Sequence, residues 1–212
     1  MTARTKITAA VVAALLIGLG VVLALNSNGS SGEDDTDGAF VSQMIPHHES
    51  AIEMAQIAQE RGQHPEIRQL AANITSSQGS EIQTLEGIYE RLYGEPADGQ
   101  HHGDMGMDES MMGMDMDMDK DSLETAQPFD REFIDQMISH HQGAIRMAQA
   151  QLEDGKDQEA KDLAMAIIEA QTAEIEQMNA WRTDWYGAAS PSGGVPGPDE
   201  TDESDEHAGM GH

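Results

Sequence analysis

The 212-residue chain contains no cysteine. That absence removes disulfides, a lipid-modified cysteine anchor and every thiolate metal site at once. Aromatic residues make up only 4% of the chain, so a core must close over small and aliphatic side chains. Bases are scarce as well: 11 Lys and Arg stand against 39 Asp and Glu, a formal charge of −28. Such a field repels nucleic acid, which is excluded as a partner, and attracts cations. The excess is uneven, with 7 acids and 3 bases in residues 40–94, 12 and 5 in residues 129–187, and −17 in the remaining segments. Those segments read as solvated linkers and tails.

Long apolar runs are absent with one exception, residues 7–25, which follow Arg4 and Lys6 and precede a polar, then acidic, stretch. Basic flank, apolar run and polar spacer make an export signal. As a helix the run would span about 28 Å, close to the hydrocarbon thickness of a bilayer. Small-x-small cleavage sites are poorly matched, so residues 1–30 read as an uncleaved anchor in preference to a cleaved signal, with the rest of the chain outside.

What the chain does have is a repeated phrase. Phe40-Val-Ser-Gln-Met44-Ile-Pro-His47-His48 continues through Ala51, Ile52, Met54 and Ala55, and it returns as Phe133-Ile-Asp-Gln-Met137-Ile-Ser-His140-His141 through Ala144, Ile145, Met147 and Ala148. The offset is a constant 93 residues, and over residues 40–94 and 133–187 it gives 22 identities in 55 positions. Two copies of one unit are therefore present.

Apolar residues at helical spacing (Phe40, Met44, Ile45, Ala51, Ile52, Ala55, Ala58) predict a first helix from about residue 37 to 61. Gly62 stops it and Pro65 opens a second, which runs to about residue 93. Copy two repeats the layout, with Pro128 opening a helix to about residue 154 and another running from about residue 157 to 186. Short turns force each pair antiparallel, and one hairpin cannot bury its own stripe. The expected fold is all-α, a four-helix bundle of two repeated hairpins, residues 36–94 and 128–187, behind the N-terminal apolar helix.

Between them, residues 95–127 form a low-complexity insert with His101, His102, Met105, Met107, Met111, Met112, Met114, Met116 and Met118 among Asp and Gly. It has no stripe that could pack, and is expected to be disordered without a ligand. The acidic tail, residues 188–212, echoes the same donors in His207, Met210 and His212, and carries the same expectation.

On a helical wheel Met44, His47, His48, Ala51 and Met54 fall within a sector of about 120°. Met137, His140, His141, Ala144 and Met147 repeat that sector. A methionine stripe alone is more often core than ligand. Four imidazoles on inward faces are different, because each left unpartnered costs on the order of 1–3 kcal/mol. Metal can satisfy them, as can Glu81 and Glu174, which close the matched patterns Gln78-x-x-Glu81 and Gln171-x-x-Glu174 and either orient a histidine or enter the metal's coordination. Thioether donors favour copper(I), imidazole also suits copper(II), and acids on this face are too few for an oxygen-rich iron site. Pro46, opposite Ser139, is expected to bend its helix or delay its start, making the two histidine pairs inequivalent. His64 reads as a surface or capping residue rather than a ligand.

The duplicated phrase and the downstream Gln-x-x-Glu-Ile resemble the family called domain of unknown function 305. The resemblance covers residues 36–94 and 128–187. It implies a ferritin-like helical fold and copper binding outside the cytoplasm, with Met44, His47, His48, Met54, Met137, His140, His141 and Met147 matching the motif. The insert and tail lie outside it. The resulting expectation is an exported copper-binding protein that buffers, sequesters or delivers copper, with a copper transporter or acceptor as the partner that delivery would require. A copper or di-iron oxidase and a metal-free helical interaction module are the alternatives.

Overall fold

The computed structural model describes residues 35–97 and 120–197. Five helices and no strand occur among the described residues: α1 (Thr36–Arg61), α2 (Pro65–Tyr93), α3 (Lys120–Thr125), α4 (Phe129–Asp154) and α5 (Gln158–Tyr186). The described residues are all-α, as expected. None of these helices is long and apolar enough to cross a membrane. The anchor expected in residues 1–30 lies outside the described residues, as do the insert donors His101, His102, Met105, Met107, Met111, Met112, Met114, Met116 and Met118 and the tail beyond residue 197.

Local chemistry sets the helix ends. The side chain of Asp35 accepts from the Gly38 N–H at 3.1 Å, and Asp157 caps α5 through the Ala160 N–H at 3.0 Å, each satisfying a donor that has no intrahelical partner. Pro65 occupies the first turn of α2. Gly94 and Gly187, equivalent in the two copies, end α2 and α5 with φ of 76° and 84°, a left-handed conformation that glycine adopts without steric penalty.

The equivalent helices match in length, 26 residues for α1 and α4 and 29 for α2 and α5. α1 packs on α2, α4 on α5, and α1 against α4 forms the seam between the hairpins. Two apolar clusters fill the interior. One joins Met54, Ala58 and Ile67 of the first hairpin to Phe129, Phe133, Met137 and Met178 of the second; the other joins Phe40, Val41, Met44 and Leu85 to Ala144, Met147, Ala160 and Ile167. The start of α1 therefore lies with the end of α4, so the two helices cross antiparallel. α2 consequently ends at one end of the bundle while α4 begins at the other, and their connection is a crossover.

Two carboxylates at equivalent positions, Asp37 and Asp130, bind the hairpins to each other. Asp130, at the start of α4, accepts from the backbone N–H groups of Gln63 and His64 in the α1–α2 turn, both at 2.8 Å. Asp37, at the start of α1, accepts from Lys156 and Asp157 in the α4–α5 turn and from the Gln151 side chain at 2.6 Å. Each hairpin's turn is thus completed by the other hairpin's acid.

Three expectations are corrected. The insert does not run unstructured to residue 127: Leu123 of α3 is buried, and Arg61 donates to the carbonyls of Leu123, Glu124 and Ala126, covering the end of that short helix. The tail does not begin unstructured at residue 188 either. Gln142 donates to the carbonyls of Ser192 and Gly194, Asn179 donates to that of Gly193, and Ser190 is buried, so residues 188–196 form a strap along α4 and α5. Finally, α1 starts at Thr36 and continues through Pro46, which rules out a delayed start.

Candidate metal centre

The methionines and histidines of the repeated phrase all lie in the interior. Met44, His47, His48, Ala51, Met54 and Met137, His140, His141, Ala144, Met147 are buried without exception, which follows from the narrow sector their spacing places on one helix face. The α1–α4 seam brings the copies together at their centre, where the rings of His47 and His140 lie 3.8 Å apart between centroids. His48 and His141 stand on either side, each 6.4 Å from its neighbouring histidine ring.

Behind each outer histidine is a carboxylate. His48 Nε2 and Glu81 Oε2 are 2.6 Å apart, and so are His141 Nε2 and Glu174 Oε2. Because a carboxylate oxygen accepts, the imidazole donates through Nε2–H, and the lone pair of the neutral ring is left on Nδ1. Nδ1 of all four histidines is buried with no hydrogen-bond partner. A histidine fixed from behind by a carboxylate, with its other nitrogen unpartnered, is the arrangement that orients imidazole towards a metal. The inequivalence expected from Pro46 does not reach these dyads, whose distances agree.

The inner pair is held neutral. Burial depresses the pKa of His47 well below 6.5, with the charges of His140, His48 and His141 acting in the same direction. Burial first, then His141 and His48, pushes His140 down to about 3. Neutral imidazole is the form that coordinates metal.

Methionines of the repeated phrase lie in both interior clusters. Met44 of copy one shares a cluster with Met147 of copy two, and Met54 shares the other with Met137, so each cluster holds thioethers from both repeats. Among the described residues no three His, Asp or Glu side chains are placed to hold one ion. His64 lies apart from the layer, at the N-cap position of α2, with no capping bond; its Nδ1 pairs with Asp130 at 2.6 Å and its ring stacks on Trp185 at 3.8 Å. The equivalence of Asp37 and Asp130 went unread in the sequence, although the 93-residue offset extends to these positions, three before Phe40 and Phe133.

A family model described as Domain of unknown function (DUF305) matches residues 37–211. The chain belongs to this family. Among solved structures of DUF305 proteins and their like, CopM in its silver-bound form is 38% identical, covers 73% of this chain and 100% of its own, and superposes with a TM-score of 0.62. CopM in its Cu(I)-bound form is 39% identical over 71% of this chain and 98% of its own, with a TM-score of 0.61. A DUF305 protein from Streptomyces coelicolor, assigned as secreted, is 28% identical over 74% of this chain and 97% of its own, with a TM-score of 0.65. No curated protein matches the sequence.

Proposed function

We propose that this DUF305 protein has a ferritin-like bundle and works outside the cytoplasm as a copper-binding protein that buffers, sequesters or delivers copper. One observation carries the reading: four buried imidazoles, two of them held by carboxylates, keep every Nδ1 without a partner. An unpartnered buried nitrogen is costly, and a metal ion removes that cost. The donors fit copper. Imidazole serves Cu(I) and Cu(II), thioether prefers Cu(I), and Met44 with Met147 and Met54 with Met137 supply sulfur beside the histidines. No three His, Asp or Glu side chains converge among the described residues, and thioether is a further donor that this core offers an ion.

In that role Glu81 and Glu174 orient His48 and His141 and offset positive charge, while His47 and His140 stay available because they remain unprotonated. The Met/His/Asp insert (His101 to Met118) captures ions ahead of the core. Residues 1–30 export the chain and hold it at the outer face of the membrane, where a copper transporter or acceptor takes the cargo. CopM has been characterised in Cu(I)-, Cu(II)- and silver-bound forms, which supports assigning the same cargo here. Oxidase chemistry on iron is disfavoured by a layer with only two carboxylates, and a pH-titrating interaction module by the depressed pKa of His140.

The test is a titration of the exported portion with Cu(I) and with Cu(II), beside a variant in which His47, His48, His140 and His141 are all alanine. The variant should lose the tight sites and keep only weak binding by the insert. Unchanged stoichiometry and affinity would make the motif structural and end the copper reading.

A further inference from the structure

We infer that Gln78 and Gln171 decide which ions the histidine layer accepts, by being neutral at the two positions where a carboxylate would turn it into an oxygen-rich site for divalent ions. The inference rests on the copper reading above and concerns selectivity within that site. Gln78 and Gln171 sit three residues before Glu81 and Glu174 on α2 and α5, on the helix face that meets His48 and His141. Both are 3% exposed. Gln171 has no partner for either amide atom, and Gln78 has none for its carbonyl oxygen. An apolar side chain would fill the same volume without stranding polar atoms, so packing does not account for an amide occurring twice at equivalent positions.

Charge accounting does. Each repeat contributes one carboxylate to the layer, 2.6 Å from the imidazole it holds. One negative charge per repeat balances one monovalent ion per repeat, whereas an uncompensated charge in this interior is heavily penalised. A glutamate at either glutamine would supply a second negative charge and two further oxygen donors, the composition preferred by harder divalent ions. The amide occupies the position without adding charge, and so leaves sulfur and imidazole to select Cu(I)-like ions.

The experiment uses the full chain with Ag(I) as the soft monovalent probe and Mn(II) as the hard divalent one. Binding is followed by equilibrium dialysis with elemental analysis, and a His48→Ala/His141→Ala variant reports the sites outside the core. Gln78→Glu/Gln171→Glu should bind Mn(II) at least about tenfold more tightly than the wild type, and Ag(I) more weakly by a similar factor. Gln78→Leu/Gln171→Leu, neutral, close in volume and without a donor atom, should keep Ag(I) affinity within about threefold and gain no Mn(II) binding. A folded double-glutamate variant with wild-type selectivity overturns the inference. Loss of Ag(I) by the leucine variant also overturns it, even if the glutamate variant does not fold, because the amides would then be ligands. If the wild type binds no more Ag(I) than the His48→Ala/His141→Ala control, it is the copper reading that fails.

Discussion

The two hairpins agree at their centres and differ at their ends. His48–Glu81 and His141–Glu174 have the same 2.6 Å separation, although α1 contains a proline where α4 has Ser139. At the turns the copies part. Asp157 caps α5 and pairs with Arg91 at 2.8 Å, while the equivalent His64 caps nothing, binds Asp130 and stacks on Trp185. Residues 188–196 strap the second hairpin through Gln142; the equivalent residue of the first, Glu49, is exposed. Each dyad is formed within one hairpin, between α1 and α2 or between α4 and α5, and the ends have diverged without disturbing either.

The largest expected effect tests those acids. Asp130→Ala removes a fully buried acceptor from two backbone donors and the His64 ring, and should lower stability by about 3 kcal/mol in urea denaturation. Asp37→Ala, at a half-buried position, should lose about 1–2 kcal/mol. Equal losses would mean that burial does not distinguish the two ends.

Acid tests the centre. His47 and His140 are depressed below 6.5 in the folded chain, so the unfolded chain binds protons that the folded one does not. Stability from these groups is intact above about pH 6.5 and declines as pH falls below it, down to about 3 for His140. His47→Gln and His140→Gln should each remove a similar share of this acid sensitivity. Clearly unequal shares would show that Pro46 alters the first copy after all.

The smallest effect addresses Pro46 directly. Pro46→Ser restores a backbone donor inside α1 and should raise the melting temperature slightly, by the equivalent of about 1 kcal/mol, with no change in metal stoichiometry. A fall in stability would mark the proline as fitted to its place in the helix.

The four long helices were legible to within a residue or two, because glycine and proline punctuate them and the apolar spacing between those marks is regular. Burial of the Met-His-His-Met sectors was legible for the same reason: helical geometry alone puts them on one face. α3 was not, since its buried residue Leu123 carries no periodic signal and its end depends on Arg61 some sixty positions earlier. The strap escaped notice because it is held by side-chain amides donating to its carbonyls, and a Gly/Pro/Ser-rich stretch shows no pattern of its own. The pairing of Met44 with Met147, and of Met54 with Met137, could be read only once the antiparallel crossing of α1 and α4 was known.

That crossing also bears on how the chain can change over time. Because α2 finishes at one end of the bundle and α4 starts at the other, the connection must cover roughly the length of α4, a 26-residue helix. At about 1.5 Å per residue this is about 39 Å, a distance that about twelve extended residues suffice to bridge. Residues 98–119 provide 22. The surplus leaves the connection without a tight length requirement, so residues can be gained or lost between the hairpins while the packed helices stay as they are.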